Sequence, residues 1–469
     1  MLRIIVFGTG SSAERLMNEL NTDSVEILCF ADNNPAKYQE SFYERRVIPP
    51  SEIPSMDYDY IIIASQYSIE ISNQLTKMGI PPDKIVPYDY KLHNRLLFHQ
   101  YSSVIGQIKQ TKKNNRRRIA LINYNNSNYH GYALMKYMPK YIEEKYEVEM
   151  LVEQDSKKLE SFDVIVSSHQ DGIYEEGYIN IELWHGFPIK QMGFMHKRTA
   201  TPRNLSTWEK RSKNTQLIMS YSQFYSTLIN ACFPNDPNKY RITGMPRNDL
   251  LFESGSLAKL EKIADQNLSG RNVVFFMPTW RLAKTKTVDG NKNWDKLFDF
   301  PNTTKDDLIA FLENNNLHLV VKLHPVECNE FKDQDLLEHR RITFLSDDRL
   351  KSANVHLYEL LPAAKVLITD YSSVFFDTLL LDIPVIFAPT DISHYSELRG
   401  FLLEPIDMLT PGPKVFSLAE LERELQLILN RKDAYKEARE QVRSLVYKFR
   451  DNQASIRVWN EIDQYISSL

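Results

Sequence analysis

Short β-rich runs of apolar residues, separated by stretches of helical periodicity, recur along this chain, and that alternation is its strongest constraint. Strands apolar along their whole length are those covered on both faces, so the pattern predicts parallel sheets flanked by helices, an α/β fold. Near the start the runs are Arg3–Phe7, Val25–Phe30, Tyr60–Ala64 and Ile85–Pro87. A second set comprises Ile119–Asn123, Val148–Val152, Val164–Ser167, Ile179–Trp184, Leu217–Ser220 and Tyr240–Thr243. A third begins at Val273 and continues through Leu317–Leu323, Lys365–Thr369 and Pro384–Phe387. The charged, amphipathic stretch Leu418–Tyr447 suits two closing helices. A chain of 469 residues has room for about three domains. The implied boundaries are an N-terminal Rossmann-like domain over 1–95, a helical linker over 96–118 ending in a basic run, and two larger α/β regions over 119–255 and 256–469.

Composition narrows the function classes. Hydrophobic residues make up 42% and charged residues 25%, which excludes a disordered or collagen-like chain. With 57 basic against 61 acidic residues the net charge is −4, so nothing in the overall charge attracts nucleic acid, and none is expected as a partner. Cys29, Cys232 and Cys328 are too few and too scattered for a disulfide framework, and no Cys/His spacing suggests zinc. No run of ~18 apolar residues could form a spanning helix, and the opening MLRIIVFGTGSSAERL lacks the apolar core of a signal peptide. A cytoplasmic chain, attached at most to a membrane face, is expected. Lys197, Arg198, Arg203, Lys210, Arg211 and Lys213, against the single acid Glu209 and beside Phe194, Met195 and Trp208, could lie on anionic lipid. A solvated basic loop explains the same residues.

Near the N-terminus, Gly8-Thr9-Gly10-Ser11-Ser12-Ala13 follows the first strand in the pattern G-x-G-x-x-A, and Asp32 falls 22 residues after Gly10, close to the place of a ribose-binding acid. Two readings stand: a nucleotide site at the turn, or glycines that serve strand–helix packing alone. The turn-like Asn33-Asn34-Pro35 after Asp32 weighs toward the second.

Five segments further on fall at strand ends, where open parallel sheets gather ligands. They are Leu183-Trp184-His185-Gly186-Phe187-Pro188, Gly244-Met245-Pro246-Arg247-Asn248-Asp249, Met277-Pro278-Thr279-Trp280-Arg281, Lys322-Leu323-His324-Pro325 and Asp370-Tyr371-Ser372-Ser373. Each alone is weak: a strand-end histidine is often structural, the arginines could form ordinary ion pairs, and Asp370 or Ser372 could simply cap a helix. Together they place two histidines, two arginines, Lys322 and a helix-start serine pair at the ends of two consecutive sheets. A cleft between those sheets suits a strongly anionic ligand such as a pyrophosphate, held partly by the hydroxyls and N–H groups at the helix start. Asp377, four residues past Ser373, could face the same cleft.

In these motifs (LWHGFPIK, TGMPRNDLL, MPTWR, VKLHP and ITDYSSVFFD, with RGF at Arg399–Phe401) residues 119–450 resemble the CDP-glycerol:poly(glycerophosphate) glycerophosphotransferase family of teichoic acid synthesis. The resemblance implies a GT-B architecture, with two Rossmann-like halves facing across a cleft. It implies transfer of glycerol phosphate or ribitol phosphate from a CDP-alcohol to a lipid-linked or polymeric acceptor at the inner membrane face, with release of CMP. On this reading His185 is the base and His324 helps CMP leave. Arg247, Arg281 and Lys322 neutralise charge, Ser372 and Ser373 hold a phosphate, and Asp377 meets a donor hydroxyl. Gly186, Pro188, Pro278 and Thr279 shape the pocket. The roles of the two histidines could be exchanged. No cofactor is implied; Mg²⁺ is not excluded, but the Arg/Lys/His set could replace it. The family carries Thr where this chain has Phe187, and residues 1–95 lie outside the match. Two other readings use the same residues: a GT-B glycosyltransferase with a nucleotide-sugar donor, and a non-catalytic polymer- or nucleotide-binding subunit.

Overall fold

A computed structural model describes residues 2–20, 25–38, 40–65, 67–88, 116–123, 129–152, 158–281, 290, 292, 296–323, 327, 336 and 338–469. The chain divides into two compact units, Met1–Asn115 and Arg116–Leu469.

In the first unit the strands β1 (Leu2–Phe7), β2 (Val25–Ala31), β3 (Ser41–Phe42), β4 (Arg45–Ile48), β5 (Tyr60–Ile63) and β6 (Ile85–Pro87) form one sheet in the order β3-β4-β2-β1-β5-β6. All neighbours are parallel except β3 and β4. Alternate residues of β1 enter different cores, Ile4 and Val6 on one face and Ile5 and Phe7 on the other, which is why residues 4–7 carry no polar side chain. Gly8 adopts φ 112°, and a Cβ there would stand 2.6 Å from the carbonyl oxygen of Ala64, so the turn requires glycine for packing. Asp32 accepts hydrogen bonds from the Thr9 hydroxyl at 2.6 Å and from Lys37 Nζ at 3.2 Å.

The second unit holds two sheets. The strands β7 (Arg118–Ile122), β8 (Glu147–Leu151), β9 (Val164–Ser167), β10 (Ile179–Glu182), β11 (Thr215–Ser220) and β12 (Tyr240–Ile242) pair in the order β12-β11-β10-β9-β7-β8, all parallel. The strands β13 (Asn272–Phe276), β14 (Leu317–Val321), β15 (Ile342–Phe344), β16 (Val366–Thr369) and β17 (Val385–Phe387) pair in the order β15-β14-β13-β16-β17, again all parallel. Strand order reverses between β7 and β9 in one sheet and between β13 and β16 in the other. Ligands bind at such reversals, beyond the carboxyl ends of the strands.

One hydrophobic core runs through both halves. It takes Val166, Ile181 and Met219 from the second sheet and Val273, Phe275 and Leu367 from one face of the third. The other face of the third sheet (Val274, Phe276, Leu319) packs against the helices Lys305–Asn314 and Leu418–Leu429. The closing stretch forms the two expected helices, Leu418–Leu429 and Lys436–Val446, and a third, Ala454–Ser467. That last helix, expected with the second half, packs on the first: the fully buried Trp459 donates from Nε1 to the carbonyl of Leu134, and Asp463 accepts from Lys145 and Tyr146. Among the described residues no helix is long and apolar enough to cross a membrane.

Candidate active site

The first half presents its chemistry from the loops that follow β9 and β10. His185 is exposed, while Gly186, Phe187 and Pro188 after it are buried, so the imidazole stands at the rim of a turn whose other residues form the floor. Its Nδ1 lies 3.2 Å from the carbonyl oxygen of Ser168. A carbonyl can only accept, so Nδ1 carries the proton and Nε2 keeps its lone pair. The ring stacks on His169 with centroids 4.2 Å apart and planes 4° from parallel. Crowding by the surrounding protein, the neighbouring imidazole, and the charges of Arg247 and Lys190 hold the pKa of His185 well below 6.5. The imidazole is therefore neutral at pH 7, with one nitrogen ready to accept a proton.

The backbone of this turn is clasped from both halves. Arg247 donates from one terminal nitrogen to the carbonyl of His185 at 2.6 Å and from the other to Asp377 at 2.7 Å. Tyr221 and Tyr358 also donate to the Asp377 carboxylate, at 3.1 and 2.6 Å. A Cβ on Gly186 would stand 2.8 Å from the hydroxyl oxygen of Ser373, so glycine lets the His185 turn touch the helix start of the other half. Phe187 stacks on Phe376 at 4.0 Å and fills the seam between the halves. Beyond it, Gln191 N–H donates to Gly400 and Leu402 N–H to Ile189, so the RGF segment is zipped to the end of the histidine turn.

Several expected site residues stand elsewhere than the sequence suggested. Arg281, assigned to developing charge, is buried and grips two carboxylates, Asp370 at 2.8 Å and Asp391 at 2.8 Å. Asp377, assigned to a donor hydroxyl, is 1% exposed, and its three donors enclose it. Both corrections have one cause: a buried charge must be paired, and the partners come from segments remote in sequence. Pro278 and Thr279 are buried behind the strand end, with Thr279 N–H donating to Asp370 at 2.7 Å. Lys322 pairs with Asp347 at 2.9 Å. Ser372 and Ser373 are half-buried, and neither hydroxyl caps the short helix Val374–Thr378; the Asp370 carboxylate instead takes the Thr279 and Tyr371 N–H groups. His324 lies outside the described residues. The structure thus brings His185, Gly186, Arg247, Asp377 and Ser373 together, and keeps Arg281 in a separate buried cluster.

Sequence reasoning missed His169, although it carries the same signal as His185, a histidine just past an apolar strand. The residue after it is Gln rather than Gly, and that hid it. It also missed Lys190, whose amine approaches the rings of Trp280 and Tyr395 at 5.7 and 5.9 Å.

The model of the family described as CDP-Glycerol:Poly(glycerophosphate) glycerophosphotransferase matches residues 105–464, and a model described as C2185-like, N-terminal, matches residues 1–86. The chain is 26% identical over 299 residues to a teichoic acid glycerol-phosphate transferase of Staphylococcus aureus (strain NCTC 8325 / PS 47), covering 60% of this chain and 70% of that protein. It is 28% identical over 289 residues to a teichoic acid poly(ribitol-phosphate) polymerase of Bacillus spizizenii (strain ATCC 23059 / NRRL B-14472 / W23), covering 60% of this chain but only 42% of the relative. Among solved structures, the wall teichoic acid polymerase TagF superposes with a TM-score of 0.61 at 20% identity, over 75% of this chain and 89% of that one. The fold of the second unit is accordingly GT-B-like.

Proposed function

Because the chain belongs to the CDP-Glycerol:Poly(glycerophosphate) glycerophosphotransferase family, we propose that it moves glycerol phosphate or ribitol phosphate from a CDP-alcohol to a hydroxyl of a lipid-linked or polymeric acceptor, in the synthesis of teichoic acid or a capsule-type surface polymer. The observation that carries this reading is the tautomer of His185: Nδ1 bound to the Ser168 carbonyl, Nε2 unprotonated, on an exposed ring beside the start of the opposite half. In the proposed reaction Nε2 takes the proton of the acceptor hydroxyl as its oxygen bonds to the β-phosphorus. The bond from that phosphorus to the bridging oxygen breaks, and CMP departs with the electron pair. Ser372 and Ser373 are the hydroxyl donors to the phosphate, and Lys190 is the cation on the histidine segment. Arg247 serves by holding the His185 carbonyl rather than by touching phosphate. No metal is assigned a part.

Attachment to the inner membrane face belongs to the same proposal. The helix Pro202–Lys213 buries none of its residues, and Lys197, Arg198, Arg203, Lys210 and Lys213 are exposed beside it or on it, while Phe194 and Trp208 pack on each other at 5.9 Å. These cations, not inserted aromatic rings, would meet anionic lipid.

Donor choice tests the function. Incubated with CDP-glycerol, CDP-ribitol and UDP- or GDP-sugars in the presence of acceptor, the protein should release CMP from a CDP-alcohol and leave the nucleotide sugars intact. Transfer of sugar from UDP or GDP would replace this reading with a glycosyltransferase.

A further inference from the structure

Glu182 closes β10 directly beneath the histidine turn. It is 5% exposed, and the largest influences on its carboxylate are burial, hydrogen bonds and repulsion from Asp171, with the nearby Arg211 donating to Gln170 rather than to it. Three hydrogen bonds hold it instead. Oε2 accepts from the Ser167 hydroxyl at 2.6 Å and from the Gln170 backbone N–H at 3.1 Å, and Oε1 accepts from the Trp184 backbone N–H at 2.9 Å. Gln170 and Trp184 share a rare conformation: both have left-handed backbones, with φ 55° and 58°. Side chains of that size adopt it only where the surroundings enforce it. Each of the two adjoins one of the stacked imidazoles, since His169 precedes Gln170 and His185 follows Trp184. One carboxylate thus fixes both loop backbones that bring the rings 4.2 Å apart.

We infer that Glu182 is the positioning residue for the His185 base: by clamping the Trp184 and Gln170 N–H groups it seats the His185 ring on His169 and directs Nδ1 to the Ser168 carbonyl. The catalytic consequence rests on the proposed reaction; the structural one does not. Burial raises the Glu182 carboxyl to about 7, with Asp171 adding repulsion, so the clamp accepts from all its donors only once that proton has left. Tyr174 and Tyr225, which also face Glu182, are held neutral by burial. His169, Arg247 and Lys190 are the groups that face His185 itself.

The test is Glu182→Gln, which keeps the shape but turns an NH₂ donor against the N–H groups it must accept. We expect turnover to fall about tenfold or more while the donor KM changes less than about threefold. The rising limb of wild-type activity near pH 7 should vanish in the variant. A second measurement needs neither donor nor variant: ¹⁵N signals of the His185 imidazole should hold a single Nδ1–H tautomer above about pH 7 and lose it as the pH falls through that value. If no CDP-alcohol is turned over, the functional reading fails and the tautomer still decides the role of Glu182. Unchanged turnover in Glu182→Gln, or a His185 tautomer that ignores Glu182 titration, would overturn the inference.

Discussion

Asp377 and Arg247 form an ion pair with side chains 1% and 5% exposed, joining the two halves of the second unit beneath the His185 turn. Removing one partner of such a pair leaves an uncompensated buried charge and costs about 3–5 kcal/mol. Asp377→Ala should destabilise the protein by that order, since it also orphans the hydroxyls of Tyr221 and Tyr358. Denaturant unfolding of the variant measures it, and a midpoint near the wild type would refute the structural role. The identity of both residues was legible in the sequence, because Arg247 follows a strand in a turn-rich motif and Asp377 lies on the helix that follows the Asp370–Ser373 strand end. Their pairing was not: they are 130 positions apart, and no local spacing reveals a partner at that range. The same blindness affected Arg281, whose carboxylates Asp370 and Asp391 come from other strand ends. His185 was read correctly as a residue displayed on a turn, since Gly186 and Pro188 announce the turn locally.

At the scale of elements, the parallel strands were visible as apolar runs to within a residue or two, because burial on both faces leaves few polar positions to blur them. The exceptions are informative. β3 and β4 went unread because Ser41, Arg45 and Arg46 break up any apolar run, and β15 offers only Ile342 and Phe344 around Thr343. The final helix reads as amphipathic, but its sequence does not say which half its apolar face will cover. β14 carries a polar residue in a buried run, His318, whose Nε2 lies 2.8 Å from the Thr343 hydroxyl. Burial, with Arg271 and Arg341 nearby, lowers its pKa to about 4. An unfolded histidine takes up a proton near 6.5 and the folded one does not, so the stability due to the neutral ring is complete above about 6.5 and is lost as the pH falls toward 4. A gap of that size is worth roughly 3 kcal/mol. His318→Gln should therefore flatten the decline in unfolding free energy between pH 6.5 and 4, read by denaturant titration at several pH values; an unchanged slope would assign the acid sensitivity to other groups.

The second unit as a whole is built so that neither half contains the site. The first contributes the imidazoles and the turn, and the second contributes Ser373 at the point of contact and Asp377 beneath it. The glycine at 186, the Phe187–Phe376 stack and the strand-like pairing of residues 189–191 with 400–402 hold these together. The GT-B-like plan was foreshadowed by two successive sets of strands whose motifs cluster at their carboxyl ends, whereas the seam between them became visible only in three dimensions. The central claim is that His185 acts as the base at this seam. It is tested by single-turnover release of CMP from the CDP-alcohol that the wild type accepts, measured beside the binding constant for the same donor. In His185→Ala the rate should fall by ~10²-fold or more while donor binding and melting temperature stay near the wild-type values. A variant that releases CMP as fast as the wild type would contradict the account.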